Sequence, residues 1–148
     1  ETPVRCRIAG TGPEREALEN LIDRSGLRGR VELLGWVEDR DVVERYASCL
    51  GVYYAPYDED YGYVTVEAFK AAKPVITTAD AGGVLEFVED GVNGFVCAPD
   101  SPREIAAKID LLYKDRERAR AMGLAGQARV REVTWDRVIE KLTGYTEL

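Results

Sequence analysis

Histidine is absent from this chain of 148 residues, and its absence excludes several catalytic classes. A Ser-His-Asp triad, the zinc-binding His-Glu-x-x-His motif and a histidine general base all depend on an imidazole ring. No apolar run approaches the roughly 20 residues needed to span a bilayer, and no signal peptide is visible. The sequence therefore argues against a histidine-dependent hydrolase, a zinc protease and a membrane-spanning segment.

Cysteine is also scarce. Cys6, Cys49 and Cys97 are far apart, odd in number, and each lies in an apolar stretch. A disulfide framework or a structural zinc site needs paired or closely spaced cysteines, which this pattern does not offer. We therefore expect three buried, reduced thiols and a cytoplasmic protein.

Basic residues are outnumbered, with 20 against 27 acidic residues and a formal net charge of −7. No dense cluster of lysine and arginine marks a nucleic-acid footprint, so nucleic acid is not expected as a partner. The acidic run Asp58-Glu59-Asp60 is a possible Mg²⁺ ligand set, but adjacent acids in a loop are weak evidence for one. We therefore assign no metal and no cofactor.

Short apolar runs alternate with helical patterns along the chain. Strands are predicted over residues 4–9, 31–34, 51–55, 75–77 and 95–97. Helices are predicted over residues 13–25, 64–72 and 84–89, after the possible caps Asp39 or Asp41, and from Pro102 onward. Strands separated by helices predict an α/β fold, with a Rossmann-like parallel sheet that carries helices on both faces.

The segment from Glu59 to Glu67 carries most of the functional information. Two glutamates are separated by seven residues, and the segment predicts a strand, an acidic loop and a helix N-terminus in that order. Backbone N–H groups at Gly62, Tyr63 and Val64 would then face a ligand, which suits a phosphate. Ionised carboxylates at each end accept hydrogen bonds from sugar hydroxyls.

Other loops are predicted to lie at the same edge of the sheet. In open parallel sheets, ligands bind beyond the carboxyl ends of the strands. The loops over residues 10–13, 35–37 and 77–83 should all lie there, together with the acidic loop. We therefore expect these loops to converge on one site.

Several motifs follow one another in an order and spacing that resemble a known family. Beside the acidic segment they are Ile8-Ala9-Gly10-Thr11-Gly12-Pro13, Val31-Glu32-Leu33-Leu34-Gly35-Trp36-Val37, Lys73-Pro74-Val75-Ile76, Gly82-Gly83-Val84-Leu85-Glu86 and Asn93-Gly94-Phe95-Val96. Over almost its whole length the chain resembles the C-terminal, donor-nucleotide-binding domain of family 4 retaining glycosyltransferases, which have the GT-B fold. The resemblance implies one partial domain over residues 1–148.

The resemblance assigns roles to individual residues. Glu67 matches the glutamate that accepts the ribose hydroxyls of a nucleotide-diphosphate sugar, linked to UDP or GDP. Glu59 matches the glutamate that contacts the transferred sugar and is the candidate catalytic residue. The backbone cradle for the diphosphate falls on Gly62, Tyr63 and Val64, and the base-binding loop falls on Gly35, Trp36 and Val37. In this family the reaction is thought to proceed on one face of the sugar, without an enzyme nucleophile.

The chain departs from the family pattern in two ways. Asp60 stands where the family usually has glycine, which places an extra charge near the donor. The family's first strand and loop, which bear an Arg and a Lys that grip the diphosphate, have no match, because residues 4–9 match the second strand. The chain starts at Glu1 without a methionine, and the acceptor-binding N-terminal domain has no match either. We expect the isolated chain to be inactive. Unpaired strand edges would favour a homodimer or poor solubility, and any attachment to a membrane would be peripheral, through the unmatched domain.

Alternative interpretations stay open at this stage. Taken alone, Glu67 fits an ordinary helix glutamate that faces solvent. The acidic run alone fits a solvated loop, and Gly82-Gly83 alone fits a tight turn. A non-catalytic nucleotide-sugar-binding or interaction module would show the same motifs. A nicotinamide-dependent enzyme is disfavoured, because the third glycine of Gly-x-Gly-x-x-Gly would fall at Arg15.

Overall fold

The computed structural model describes residues 2–144. The chain forms two compact units, the first running to Arg45 and the second beginning at Tyr46, so that the boundary falls inside a helix. The strands are β1 (Cys6–Ala9), β2 (Val31–Gly35), β3 (Val52–Tyr53), β4 (Val75–Thr78) and β5 (Gly94–Cys97). The helices are α1 (Arg15–Arg24), α2 (Asp39–Ser48), α3 (Tyr63–Lys70), α4 (Pro102–Lys114), α5 (Arg116–Arg129) and α6 (Trp135–Thr143), with a 3₁₀ turn at Gly83–Glu86.

The first unit contains a parallel pair of strands. Cys6 lies opposite Val31 and Ala9 opposite Gly35, with an irregularity between Ile8 and Ala9. All four residues of β1 are exposed. The predicted burial of Cys6 is therefore wrong: in this unit β1 is paired along one edge, and its side chains stay open to solvent.

The second unit contains the three-stranded parallel sheet β3-β4-β5. Val52 lies opposite Val75, and Ile76 opposite Phe95. The predicted parallel α/β class is therefore confirmed, with the five strands divided between sheets of two and three rather than joined in one. Of the remaining cysteines, Cys97 is buried and Cys49 is half-buried.

Helices cover both faces of the three-stranded sheet, because successive residues of a strand point to opposite sides. Val75 joins one core cluster with Val66 and Phe69 of α3. Its neighbour Ile76 joins a second cluster with Leu112 of α4 and Met122 of α5. The central strand β4 is buried along its whole length, as a parallel strand between two helical layers should be.

Helix α3 is held closely against α5. A Cβ atom at Gly126 would overlap the ring of Phe69, and one at Gly123 would overlap the carbonyl of Ala72. Gln127 Nε2 also donates a hydrogen bond to the carbonyl oxygen of Lys70 at 2.9 Å, near the C-terminus of α3. The two segments therefore approach closely at both glycines, against a side-chain ring at Gly126 and against the backbone at Gly123, and this contact fixes the position of the helix that follows the acidic loop.

Helix α4 begins at Pro102 as predicted, with Ser101 as its N-cap residue. The carboxylate of Glu104 accepts a hydrogen bond from the Ala98 N–H at 2.9 Å. In α2, Val43 is exposed, whereas Tyr46 packs against the core cluster around Val66 and Phe69. Among the described helices, none is long and apolar enough to cross a membrane.

Candidate functional site

The acidic segment folds as a strand, a loop and a helix, as predicted. Beyond β3, the Tyr54 N–H still donates to the Ile76 carbonyl oxygen at 3.0 Å, after which the chain leaves the sheet. Asp58 has a positive φ of 47°, a left-handed conformation that aspartate tolerates better than most residues. Helix α3 begins at Tyr63, with Gly62 as its N-cap residue.

Gly62 opens the N-terminus of α3. Its φ of 75° lies in the left-handed region, and a Cβ atom there would lie 2.5 Å from Cγ2 of Val84. Thr65 makes the first hydrogen bond of the turn, to the Gly62 carbonyl oxygen at 2.9 Å. Within residues 2–144, the N–H groups of Gly62, Tyr63 and Val64 donate to no acceptor. This helix end is therefore able to accept an anion.

The Gly82-Gly83 pair supports the acidic loop through backbone contacts. The Gly83 N–H donates to the Glu59 carbonyl oxygen at 2.6 Å, and the Asp58 N–H donates to the Asp80 carbonyl oxygen at 2.9 Å. A Cβ atom at Gly82 would lie 2.6 Å from the Glu59 carbonyl oxygen, and one at Gly83 would overlap the carbonyl of Asp60. The acidic loop and the loop over residues 77–83, both expected at one edge of the sheet, therefore meet. Only glycine permits this approach, because a side chain would overlap the acidic loop.

Glu59 is half-buried and is held by a tyrosine. The Tyr54 hydroxyl donates a hydrogen bond to Oε2 of Glu59 at 3.1 Å. Partial burial of the ring, and then the hydrogen bond to Glu59, raise the pKa of Tyr54, so the phenol keeps its proton. Among the hydrogen bonds of residues 2–144, Glu59 is held through Oε2, which leaves Oε1 to a ligand.

Glu67 lies on the exposed side of α3 and is held in the same way. The Tyr46 hydroxyl donates to Oε2 of Glu67 at 3.0 Å. Burial of the Tyr46 ring, and next the charge of Glu67, raise the pKa of Tyr46 well above its ordinary range. Both tyrosines pack against the core cluster around Val66 and Phe69, so the two acids of the motif are held beside the same cluster.

The candidate base-binding loop belongs to the first unit. Gly35 is buried, has a φ of 71°, and accepts a hydrogen bond from the Gly10 N–H at 2.8 Å. The loops that follow β1 and β2 therefore meet, as expected. Trp36 is 76% exposed and Val37 is half-buried. The indole ring of Trp36 therefore points into solvent.

Asp60 and its neighbours form no metal site in the described part of the chain. Between residues 2 and 144, no three acidic, cysteine or histidine side chains are arranged to hold an ion. Asp60 is exposed and does not have a positive φ, so the backbone does not require glycine at this position. An aspartate is therefore accommodated at this position without backbone strain.

Sequence analysis missed Tyr46 and Tyr54 as parts of this site. Their rings fit apolar patterns and pack against the core cluster around Val66 and Phe69, so periodicity alone assigned them to packing. The available signal was the hydroxyl itself. A tyrosine on a buried face usually has a hydrogen-bond partner, and a pair of acids nearby in the sequence offers one.

Comparison with known proteins places this architecture in a family. The profile described as "Glycosyl transferases group 1" matches residues 1–129. An alpha-1,3/1,6-mannosyltransferase of Homo sapiens is 34% identical over 137 residues, which covers 87% of this chain and 32% of that protein. The chain thus spans about a third of this relative.

Solved structures agree with the sequence comparison. HepE of Anabaena, in complex with UDP-glucose, superimposes with a TM-score of 0.83 at 29% identity, covering 96% of this chain and 41% of that one. The C-terminal domain of a group 1 glycosyl transferase from Francisella tularensis superimposes with a TM-score of 0.73 at 26% identity, covering 82% of this chain and 64% of that one. With its parallel α/β units and the profile match over most of its length, this chain belongs to the group 1 glycosyl transferase family.

Proposed function

We propose that this chain binds the nucleotide-diphosphate sugar donor of a retaining glycosyltransferase, which transfers a hexose to an acceptor hydroxyl. One observation carries the proposal. A helix N-terminus with unused N–H groups at Gly62, Tyr63 and Val64 lies between two glutamates whose carboxylates are each held by a phenol. The similar structure of HepE in complex with UDP-glucose supports a donor of this class.

The two glutamates bind different hydroxyls of the donor in this proposal. Glu67, on the exposed side of α3, accepts the ribose hydroxyls. Glu59, half-buried in the loop before α3, contacts the transferred sugar. Each carboxylate is able to accept two hydroxyl donors, which is the pattern that a vicinal diol presents.

The N-terminus of α3 binds the diphosphate. As the bond to the sugar breaks, negative charge accumulates on the leaving diphosphate, and the unused N–H groups stabilise it. An exposed helix N-terminus contributes only about 0.3–1 kcal/mol, and the net charge of −7 opposes an incoming anion. We therefore expect weak binding of UDP or GDP by this chain alone, and no turnover.

The remaining roles belong to other parts of the protein. Gly35, Trp36 and Val37, in the first unit, are proposed to hold the base of the nucleotide, and the indole of Trp36 is free to stack. Because the chain covers 32% of its human relative, we propose that the acceptor binds to a separate N-terminal domain. Any attachment to a membrane would also belong to that domain, and the chain described here is proposed to be cytoplasmic.

A thermal-shift panel tests the donor assignment. UDP, GDP, UDP-glucose and GDP-mannose are added at millimolar concentration to the wild type and to Glu67→Ala. We expect a nucleotide diphosphate to raise the melting temperature of the wild type, and the substitution to abolish most of that rise because the ribose contact is lost.

Glu117→Ala is the matched control, since Glu117 is an exposed helix glutamate in α5. It removes the same charge and should leave the shift intact. An unchanged shift in Glu67→Ala would refute the ribose assignment. A larger shift with NADH than with either diphosphate would instead favour a nicotinamide-dependent enzyme.

A further inference from the structure

Each of the two acids of the motif accepts a hydrogen bond from one tyrosine. Tyr46 donates to Oε2 of Glu67 at 3.0 Å, and Tyr54 donates to Oε2 of Glu59 at 3.1 Å. We propose that Tyr46 and Tyr54 are positioning residues, which orient Glu67 toward the ribose and Glu59 toward the transferred sugar. This inference rests on the proposed function, because it presumes that both acids bind donor hydroxyls.

The tyrosine rings are fixed, which allows their hydroxyls to act as fixed donors. Both rings pack against the core cluster that contains Val66 and Phe69. The backbone N–H of Tyr54 is bonded to β4, and its ring lies beneath the turn, 3.6 Å from the position of a Cβ atom at Gly62. A donor anchored in this way restrains a carboxylate that would otherwise rotate freely in solvent.

Each phenol occupies one oxygen of its carboxylate and leaves the other oxygen for the ligand. An ionised carboxylate accepts at both oxygens, so Oε1 of each glutamate still accepts hydroxyl donors. A phenol is already protonated at neutral pH, and burial together with the adjacent acid raises the pKa of each tyrosine further. They stay protonated and continue to donate at neutral pH.

The inference predicts that each of two substitutions weakens the binding of a different ligand. Tyr46→Phe removes only the hydroxyl that orients Glu67, so it should weaken UDP but not 2′,3′-dideoxy-UDP, which lacks both ribose hydroxyls. Tyr54→Phe removes only the hydroxyl that orients Glu59. It should therefore weaken UDP-glucose while leaving UDP unchanged.

NMR titration of the whole chain measures these affinities even when they are millimolar. We expect each loss to be about threefold to tenfold, since a hydrogen bond to a charged group is being removed. A tyrosine that acts only through packing would change all three affinities by the same factor. Equal losses, or no loss in either phenylalanine variant, would overturn the positioning role.

Glu67→Gln separates failure of this inference from failure of the proposed function. If Glu67→Gln weakens UDP and Tyr46→Phe does not, the positioning role alone is wrong. If Glu67→Gln has no effect, or if the wild type does not bind UDP at all, the donor assignment itself fails and the positioning role fails with it.

A second measurement needs no ligand. NMR of ¹³Cζ-labelled tyrosine follows each phenol as the pH is raised. Glu67→Gln should lower the pKa of Tyr46, because the charge and hydrogen bond that hold the proton are removed, whereas Glu117→Gln should leave it unchanged. An identical titration of Tyr46 in the wild type and in Glu67→Gln would show that the bond does not exist in solution, and would sink the inference.

Discussion

Gly62 is the most constrained residue of the site. Its positive φ is unfavourable for any residue with a Cβ atom, and Val84 occupies the space that this atom would need. The same glycine begins α3 and so determines where three backbone N–H groups point. Gly91 is a natural comparison in the same unit, because its φ of 76° nearly equals the 75° of Gly62 while nothing lies within 4 Å of its Cβ position.

Gly62→Ala should destabilise the protein more than Gly91→Ala does. We expect about 1 kcal/mol from backbone strain in both variants, and about 1–3 kcal/mol more in Gly62→Ala from overpacking against Val84. Urea denaturation followed by circular dichroism gives both free energies of unfolding. Equal values for the two variants would show that Val84 moves aside at no cost.

The contact between α3 and α5 determines how α3 is placed beneath the acidic loop. Glycine within a helix is normally unfavourable by about 1 kcal/mol relative to alanine, so replacing one should stabilise an isolated helix. At Gly126 the neighbouring ring of Phe69 reverses that expectation, because a side chain there has no room. Packing between the two helices therefore outweighs the helix propensity of the residue.

Gly126→Ala should lower the free energy of unfolding by about 1–3 kcal/mol, since overpacking exceeds the gain in helix propensity. Leu124→Ala is the control in the same helix: Leu124 is 49% exposed, and we expect a change within about 0.5 kcal/mol. Adding Phe69→Leu to Gly126→Ala should recover part of the loss. A Gly126→Ala variant at least as stable as the wild type would contradict the close packing.

The order of strands and helices was predictable from the sequence, because local patterns determine it. The strand predicted over 31–34 ends at Gly35, and the helix predicted over 64–72 runs from Tyr63 to Lys70. The sheet edge at which loops meet was predictable as well, but the individual long-range contacts were not. Nothing in the local pattern of Gly82-Gly83 shows that it packs against the backbone of residues 59 and 60, and the partners of Tyr46 and Tyr54 lie 21 and 5 residues away.

Burial was predicted least well where an apolar residue lies outside the second-unit core. Cys6 was expected to be buried with the other two cysteines, yet it is exposed. An apolar pattern shows that a residue is able to pack, but it does not name the surface that covers it. The same limit applies to Trp36, whose ring is apolar and yet exposed.

The protein as a whole should lose stability at alkaline pH. In the second unit, three groups have a pKa above the ordinary value, and burial is the main cause in each. They are Tyr46, Tyr54 and Cys49, with ordinary values of 10.0, 10.0 and 9.0. The folded chain therefore keeps protons that the unfolded chain releases. Their contribution is fully present below the ordinary values and is lost as pH rises through the higher pKa values of the folded state.

We accordingly expect the free energy of unfolding to decline from about pH 9 upward, where the unfolded thiols and phenols begin to ionise. Urea denaturation at a series of pH values measures the decline. Tyr46→Phe has no phenol at this position, so its decline should be shallower than that of the wild type. A wild-type stability that stays level across this range would contradict the raised pKa values.

The acidic loop owes its shape to main-chain contacts with Gly82 and Gly83, and this has an evolutionary consequence. The exposed side chain of Asp60 contributes nothing to that framework, because its carbonyl, not its carboxylate, is the group that the glycine approaches. Selection is therefore able to exchange this side chain, and with it the charge of the loop, without rebuilding the scaffold. Descendants of one ancestral chain can diverge in charge at this position while the architecture beneath it is inherited unchanged.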